Sequence, residues 1–189
     1  MTPMDPRTFL AILHIAERLK DTPRHCTTSL GRTESVAEHS WRVALAAFLL
    51  RDRFPDLDMD RVVAMALIHD LGECFTGDIP TFRKTDGDRA SEAKLLSGWV
   101  DTLPEEVRAR MSALFREMDE AATAEAKLCR ALDKMEALIQ HNESPLSTWS
   151  ENEYALNRTY AFDAAAFDPW LTELRREILS DTLKKIENE

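Results

Sequence analysis

The apolar positions of the chain recur mostly at three- and four-residue spacing, which predicts a succession of helices. Phe9, Ile12, Leu13, Ala16 and Leu19 follow Asp5 and Pro6, an N-cap and a first-position proline, so the first helix should run to about Lys20. Residues 21–34, DTPRHCTTSLGRTE, lose the period and carry Pro23 and Gly31. A loop of that length is expected to serve function. Ser35 and Glu38, within SVAE, make a capping box and open a helix through Phe54 that buries Val36, Val43, Ala47 and Leu50, until Pro55 stops it. A third helix starts near Asp58 or Asp60, turns Val63, Ala66, Leu67 and Leu71 to the core and breaks around Gly72, with His69 and Asp70 on its last turn.

After the turn TGDIP, helices are expected over about 88–102, from Pro104, and from Thr123. The last of these carries the stripe Leu128, Leu132, Met135 and Ile139, with Asp133 beside it. Residues 144–167 give no decisive period, and Asp168 with Pro169 caps a closing amphipathic helix, DPWLTELRREILSDTLKKI. Leu and Ala outnumber Val and Ile 46 to 13, and only 13 residues are Gly or Pro, which leaves little material for a sheet. The reading is all-α. At 189 residues it forms one domain, 1–189, with a motif-bearing core at about 9–142 and a C-terminal helical extension at about 150–187.

Charge narrows the partners. A net charge of -10 makes a nucleic-acid polymer or an anionic membrane an unfavourable partner, while a small anion can still bind where local cations gather. Cys26, Cys74 and Cys129 are odd in number and widely spaced without CxxC, so neither a disulfide framework nor a thiolate zinc site is indicated. MTPMDPRTFL lacks the basic and apolar regions of a signal peptide, and no apolar run reaches membrane-spanning length; a cytoplasmic protein is expected.

His39, His69, Asp70 and Asp133 interrupt otherwise apolar helical faces. Burying them uncompensated would be costly, so they should be paired, hydrogen-bonded or hold a metal. Singly, each has an ordinary structural reading as a core histidine, a cap or a salt bridge. Two imidazoles and two carboxylates together suit a borderline or hard divalent ion and leave positions for water and substrate. His14 and His141 receive structural or surface readings, Trp41, Trp99 and Trp170 packing readings, and Glu92 that of a solvated helix charge.

The series SVAEHSWRVA, LIHDLGE and RALDKMEAL, in the order H…HD…D, resembles the HD-domain superfamily of metal-dependent phosphohydrolases. RTESVAEHS, HDLGECFTGDIP and EAKLCRALDKMEALIQ resemble its 5′-deoxynucleotidase branch, over about Phe9 to Asn142. The resemblance implies an HD-type helical bundle with one metal site between helices. It makes His39, His69, Asp70 and Asp133 ligands of one divalent ion, drawn from Mn, Co, Fe, Zn and Mg. It casts Glu73 and Asp78 as catalytic groups, Glu73 handling the proton of water and Asp78 approaching the sugar or leaving oxygen, and Arg24 as the phosphate grip. Arg32 is read as pairing with a surface acid. His25 stands where such deoxynucleotidases can carry a tryptophan associated with excluding a ribose 2′-hydroxyl, so ribonucleotides or another phosphate ester come into range. The expected substrate is a nucleoside 5′-monophosphate, with another small phosphate ester or a non-catalytic metal- or nucleotide-binding role as alternatives. A homodimer is the family expectation, and the stripe Leu171, Leu174 and Ile178 can serve either its interface or the monomer's core.

Overall fold

The computed structural model describes residues 4–188. Helix α1 spans Pro6–Ala16, with the Asp5 carboxylate accepting from the Arg7 and Thr8 amides, and a 3₁₀ turn at Glu17–Lys20 completes the expected element. Its stripe is less buried than predicted: no residue of α1 is buried, and Phe9, Leu10 and Leu13 are exposed. The segment expected as a loop instead forms a hairpin, β1 (Pro23–Thr27) with β2 (Thr33–Ser35), paired antiparallel as Pro23 with Ser35 and Thr27 with Thr33. Its threonines suit extended backbone, and Gly31 supplies the positive φ of +79° at the tip.

Helix α2 (Val36–Leu49) carries the full capping box between Ser35 and Glu38, and Arg32 pairs with Glu38 at 2.6 Å, as read from the sequence. Helix α3 (Met59–Ile68) is capped by Asp58 and buries Met59, Val62, Met65 and Ala66, whereas Leu67 is 53% exposed. The buried face lies one position earlier than predicted for Leu67. A short α4 (Glu73–Thr76) and the longer α5 (Asp86–Val100), α6 (Glu105–Glu120) and α7 (Ala124–Glu143) follow. The undecided region resolves into α8 (Glu151–Thr159) and α9 (Phe162–Ala165) before α10 (Pro169–Asn188).

The long helix α7 is the hub, packed against α2, α3, α6, α9, α10 and β1. Val43, Ala47, Val62, Met65, Leu128 and Leu132 form the main apolar cluster, to which α10 adds Leu171 and Ile178. That stripe therefore completes the core of this chain. Burying a Leu, Val or Met side chain contributes roughly 1.5–3 kcal/mol, so this contact fixes the three helices that later carry the polar site. A second cluster, with Leu19, Val36, Leu71, Val100 and Met111, supports α4 and α5 from beneath. Trp99 and Trp170 are partly buried as expected of packing residues, but Trp41 is 61% exposed.

Candidate metal centre and its cavity

His39 sits on the first turn of α2, fully buried, where the capping box fixes the helix start. Helix α3 ends at Ile68, one turn earlier than the sequence implied. His69 becomes its C-cap and Asp70 lies in the turn beyond it. Asp133 lies on α7, whose buried stripe points the neighbouring side chains into the same space. The consequence is convergence. His39 Nε2 lies 3.1 Å from Asp133 Oδ1, 3.4 Å from His69 Nε2 and 3.7 Å from Asp70 Oδ2. His69 Nε2 lies 3.2 Å from Asp70 Oδ2 and 3.7 Å from Asp133 Oδ1. Metal–ligand bonds near 2.1 Å place adjacent ligand atoms roughly 3.0–3.5 Å apart, so the four groups fit a divalent ion.

The tautomers agree with that fit. His69 Nδ1–H donates to the Ala66 carbonyl at 2.8 Å, and His39 Nδ1–H donates to the buried carboxylate of Glu136. Both Nε2 atoms are thereby left with lone pairs facing the cluster, the arrangement that supports imidazole ligation. In the metal-free protein, protons take the place of the cation on these imidazoles. Burial opposes charge on both imidazoles, yet Asp133 and Glu136 at His39, and Asp70 and Asp133 at His69, raise their pKa values above the ordinary range. Burial likewise opposes charge on Asp70 and Asp133, but the imidazoles hold both below theirs. Such a set of groups is stabilised by a shared cation.

Glu73 opens α4, so it is a separate short helix that presents it and not the end of α3. It is buried, its Oε2 has no hydrogen-bond partner among the described residues, and Lys84 Nζ stands 4.0 Å from Oε1. Burial, then the like charges of Asp70 and Asp78, push its carboxyl up to about 9. Gly77 ends α4 with φ +76°, a conformation that costs glycine little, and the turn delivers Asp78 to the cavity wall. Burial also raises the Asp78 pKa. Arg24, on β1, donates from Nε to Glu34 at 3.0 Å; burial opposes its charge, but the neighbouring carboxyl groups of Asp70, Glu34 and Glu136 hold it protonated.

One cavity of about 310 Å³ is lined by Arg24, His25, Asp70, Glu73, Asp78 and Asp133 together. Only the buried His39 and the neighbouring His69 are absent from its wall. Four cations, Arg24, Lys84, Arg89 and Lys134, also line it, so an anion meets local positive charge despite the acidic chain. Sequence reasoning missed Lys84, Glu34 and Glu136. For Glu136 a signal existed: a charged residue three positions after Asp133, on the apolar stripe, must be buried with a partner. Glu92, read as a solvated charge, instead pairs with Lys84 at 2.6 Å and packs its Cγ against Gly72. His141 is buried, and His14 is exposed.

The HD domain family model matches residues 16–175, a span that includes the four converging residues and every residue that lines the cavity. The chain belongs to the HD domain family. This HD domain is 33% identical over 142 residues to human 5′-deoxynucleotidase HDDC2, covering 72% of this chain and 68% of that one. It is 34% identical over 142 residues to a 5′-deoxynucleotidase of Erwinia tasmaniensis, covering 66% and 72%. The crystal structure of a predicted metal-dependent phosphohydrolase from Magnetospirillum magnetotacticum superposes with a TM-score of 0.79 at 26% identity, covering 95% of each chain.

Proposed function

We propose that this HD domain protein is a metal-dependent phosphohydrolase that removes phosphate from nucleoside 5′-monophosphates, deoxyribonucleotides foremost. The observation that carries the reading is the meeting of His39 with His69, Asp70 and Asp133, and of His69 with both aspartates, at 3.1–3.7 Å, beside a cavity that also holds Glu73, Asp78 and Arg24. Those four residues would hold one divalent ion, which supplies Lewis-acid polarisation of a phosphoryl oxygen and acidifies a water. The 5′-deoxynucleotidase relatives support the substrate class.

The chain's own groups then divide the work. Arg24, held by Glu34, and Lys84 offset the phosphate charge and orient the ester. Glu73, whose buried carboxyl has one oxygen without a hydrogen-bond partner among the described residues, takes the proton of the attacking water in its ionised form, which a bound cation beside it would favour, as the new P–O bond forms. Asp78, whose pKa is raised by burial, gives a proton to the nucleoside 5′-oxygen as the old P–O bond breaks. His25 faces the same cavity and lies against the sugar side of the substrate.

Three finer statements belong to this reading. The chain works as a cytoplasmic homodimer of single HD units. Three buried free cysteines support the compartment, the α10 contribution to the main core supports one unit, and the exposed Phe9, Leu10 and Leu13 of α1 support an interface. No helix among the described residues is long and apolar enough to cross a membrane.

The test is phosphate release from a panel of deoxyribo- and ribonucleoside 5′-monophosphates by metal-stripped protein, with Mn²⁺, Co²⁺, Mg²⁺ or Zn²⁺ restored singly. Metal-dependent release with a deoxyribose preference is expected. Silence across the panel with metal bound would overturn the reading in favour of another phosphate ester or a binding role.

A further inference from the structure

A second group of potential ligands lies at the same cavity, apart from the first: His25, His141 and Glu153 line its wall, and Cys26 is buried beside His25. His141 follows Asp133 by eight residues, roughly 12 Å along α7 at 1.5 Å per residue. His25 and Cys26 come from β1 and Glu153 from α8. His25 Nε2 lies 3.5 Å from Glu153 Oε1 and 3.8 Å from Cys26 Sγ, and His141 Nε2 lies 3.6 Å from the same Glu153 oxygen. Ligand atoms of His25, Cys26 and His141 all fall within 4.8 Å of one another. A tetrahedron with Zn–N and Zn–O near 2.1 Å and Zn–S near 2.3 Å has edges of roughly 3.3–3.6 Å, which the two imidazole contacts to Glu153 match and the 3.8 Å His25–Cys26 contact approaches.

Hydrogen bonding supports ligation. The contacts to Glu153 are too long for hydrogen bonds, yet both imidazoles approach one carboxylate oxygen. His141 Nδ1–H donates to Asn157 Oδ1 at 3.0 Å, which leaves the His141 Nε2 lone pair facing Glu153. This is the outer support expected of a ligating histidine. Asn157 is itself fully buried, and the backbone oxygen of Asn157 accepts from Arg175 Nη2 at 2.8 Å, so the supporting residue is held in turn. On β1 the register is irregular between Pro23 and Thr27. Consecutive strand side chains ordinarily point to opposite faces, but here Cys26 Sγ and His25 Nε2 meet.

We propose that His25, Cys26, His141 and Glu153 form a second metal site, for a borderline transition ion of the Zn²⁺ or Co²⁺ class, separate from the His39 to Asp133 centre. Loading it releases the Cys26 thiol proton to solvent and leaves a thiolate, two neutral imidazoles and a carboxylate on the ion. The ion would fasten β1, which carries Arg24, to α7 and α8. It would draw His25 to that side of the cavity, so the site would also set the shape of the sugar- and base-facing wall under the proposed phosphohydrolase reading.

The thiolate makes the site separable from the first, which has none among its four proposed ligands. Metal-stripped full-length protein is titrated with Co²⁺ and followed by absorption and by bound-metal stoichiometry. Two equivalents per chain are expected, one of them bringing a near-ultraviolet thiolate-to-cobalt charge-transfer band. Cys26→Ser and, with the thiol kept, His141→Gln should each lose the band and one equivalent, while Cys129→Ser keeps both. A single equivalent without the band in the wild-type protein would overturn the site, as would a band that survives Cys26→Ser or depends on Cys129. Failure of the phosphatase panel leaves this titration untouched, so the two readings fall separately.

Discussion

At the scale of single residues, Glu73 sits in surroundings far from those of an ordinary carboxylate. It is buried beside Asp70 and Asp78 with one oxygen unpaired, and its pKa is pushed from 4.5 up to about 9. A raised acid stabilises the folded metal-free protein in its protonated form. That contribution is full below about pH 4.5 and is lost as pH rises through about 9. Glu73→Gln, which mimics the protonated acid, is therefore expected to gain on the wild type in thermal midpoint as pH rises through this window, measured without metal. With metal restored, the same variant should retain the ion and lose about 10²- to 10⁴-fold in turnover, the usual worth of a positioned acid–base group. Equal turnover would remove Glu73 from the chemistry. Glu136 touches no substrate in this reading and acts through His39. Glu136→Gln should weaken metal affinity by about 10- to 100-fold in a competition titration, with a smaller effect on the turnover of fully loaded protein.

At the scale of elements, the start of α2 matters because it aims His39. Ser35 accepts from the Glu38 amide while the Glu38 carboxylate accepts from the Ser35 amide, and Arg32 braces Glu38. Ser35→Ala should cost about 1 kcal/mol in chemical denaturation and loosen His39 with the first turn. This cap was legible in the sequence, as were those at Asp5, Thr123 and Asp168, because each depends on residues a few positions apart. The end of α3 was not. The chain turns after Ile68 to let α4 begin at Glu73, and Gly72 permits Glu92 to approach so closely that an added Cβ would lie 2.7 Å from its Cγ. No local periodicity encodes that approach between α4 and α5. The hairpin was hidden for a similar reason: its strands are short, and its anchorage comes from α7, where Gln140 Nε2 donates to the Thr27 carbonyl at 2.7 Å.

At the scale of the whole molecule, the stripe on α10 joins the main core while α1 leaves Phe9, Leu10 and Leu13 in water. Sedimentation of the full chain should therefore give a dimer, and Leu13→Lys should shift it to the monomer with its helical content kept; the charge would face solvent in the monomer. An unchanged wild-type monomer would exclude this interface. Arg175, which the sequence pattern did not single out, is fully buried and spans α10 and α8 by donating to the Tyr160 and Asn157 carbonyls at 2.7 and 2.8 Å. A lone arginine on an amphipathic helix normally reads as surface, and only the packing of α8 and α9 reveals that it closes a helix end.

The sequence by itself determined the helical class and most helix starts, and it singled out His39, His69, Asp70 and Asp133 as the proposed ligands, because caps, periodicity and the H…HD…D order are properties of neighbouring positions and intervals along the chain. Tertiary structure decided what those intervals cannot carry. It set the 3.1–3.7 Å convergence of ligand atoms from three elements, the support of His39 by Glu136, and the gathering of His25, Cys26, His141 and Glu153 from a strand and two helices. Such contacts depend on packing angles and buried partners, which are fixed only when all the helices close on α7.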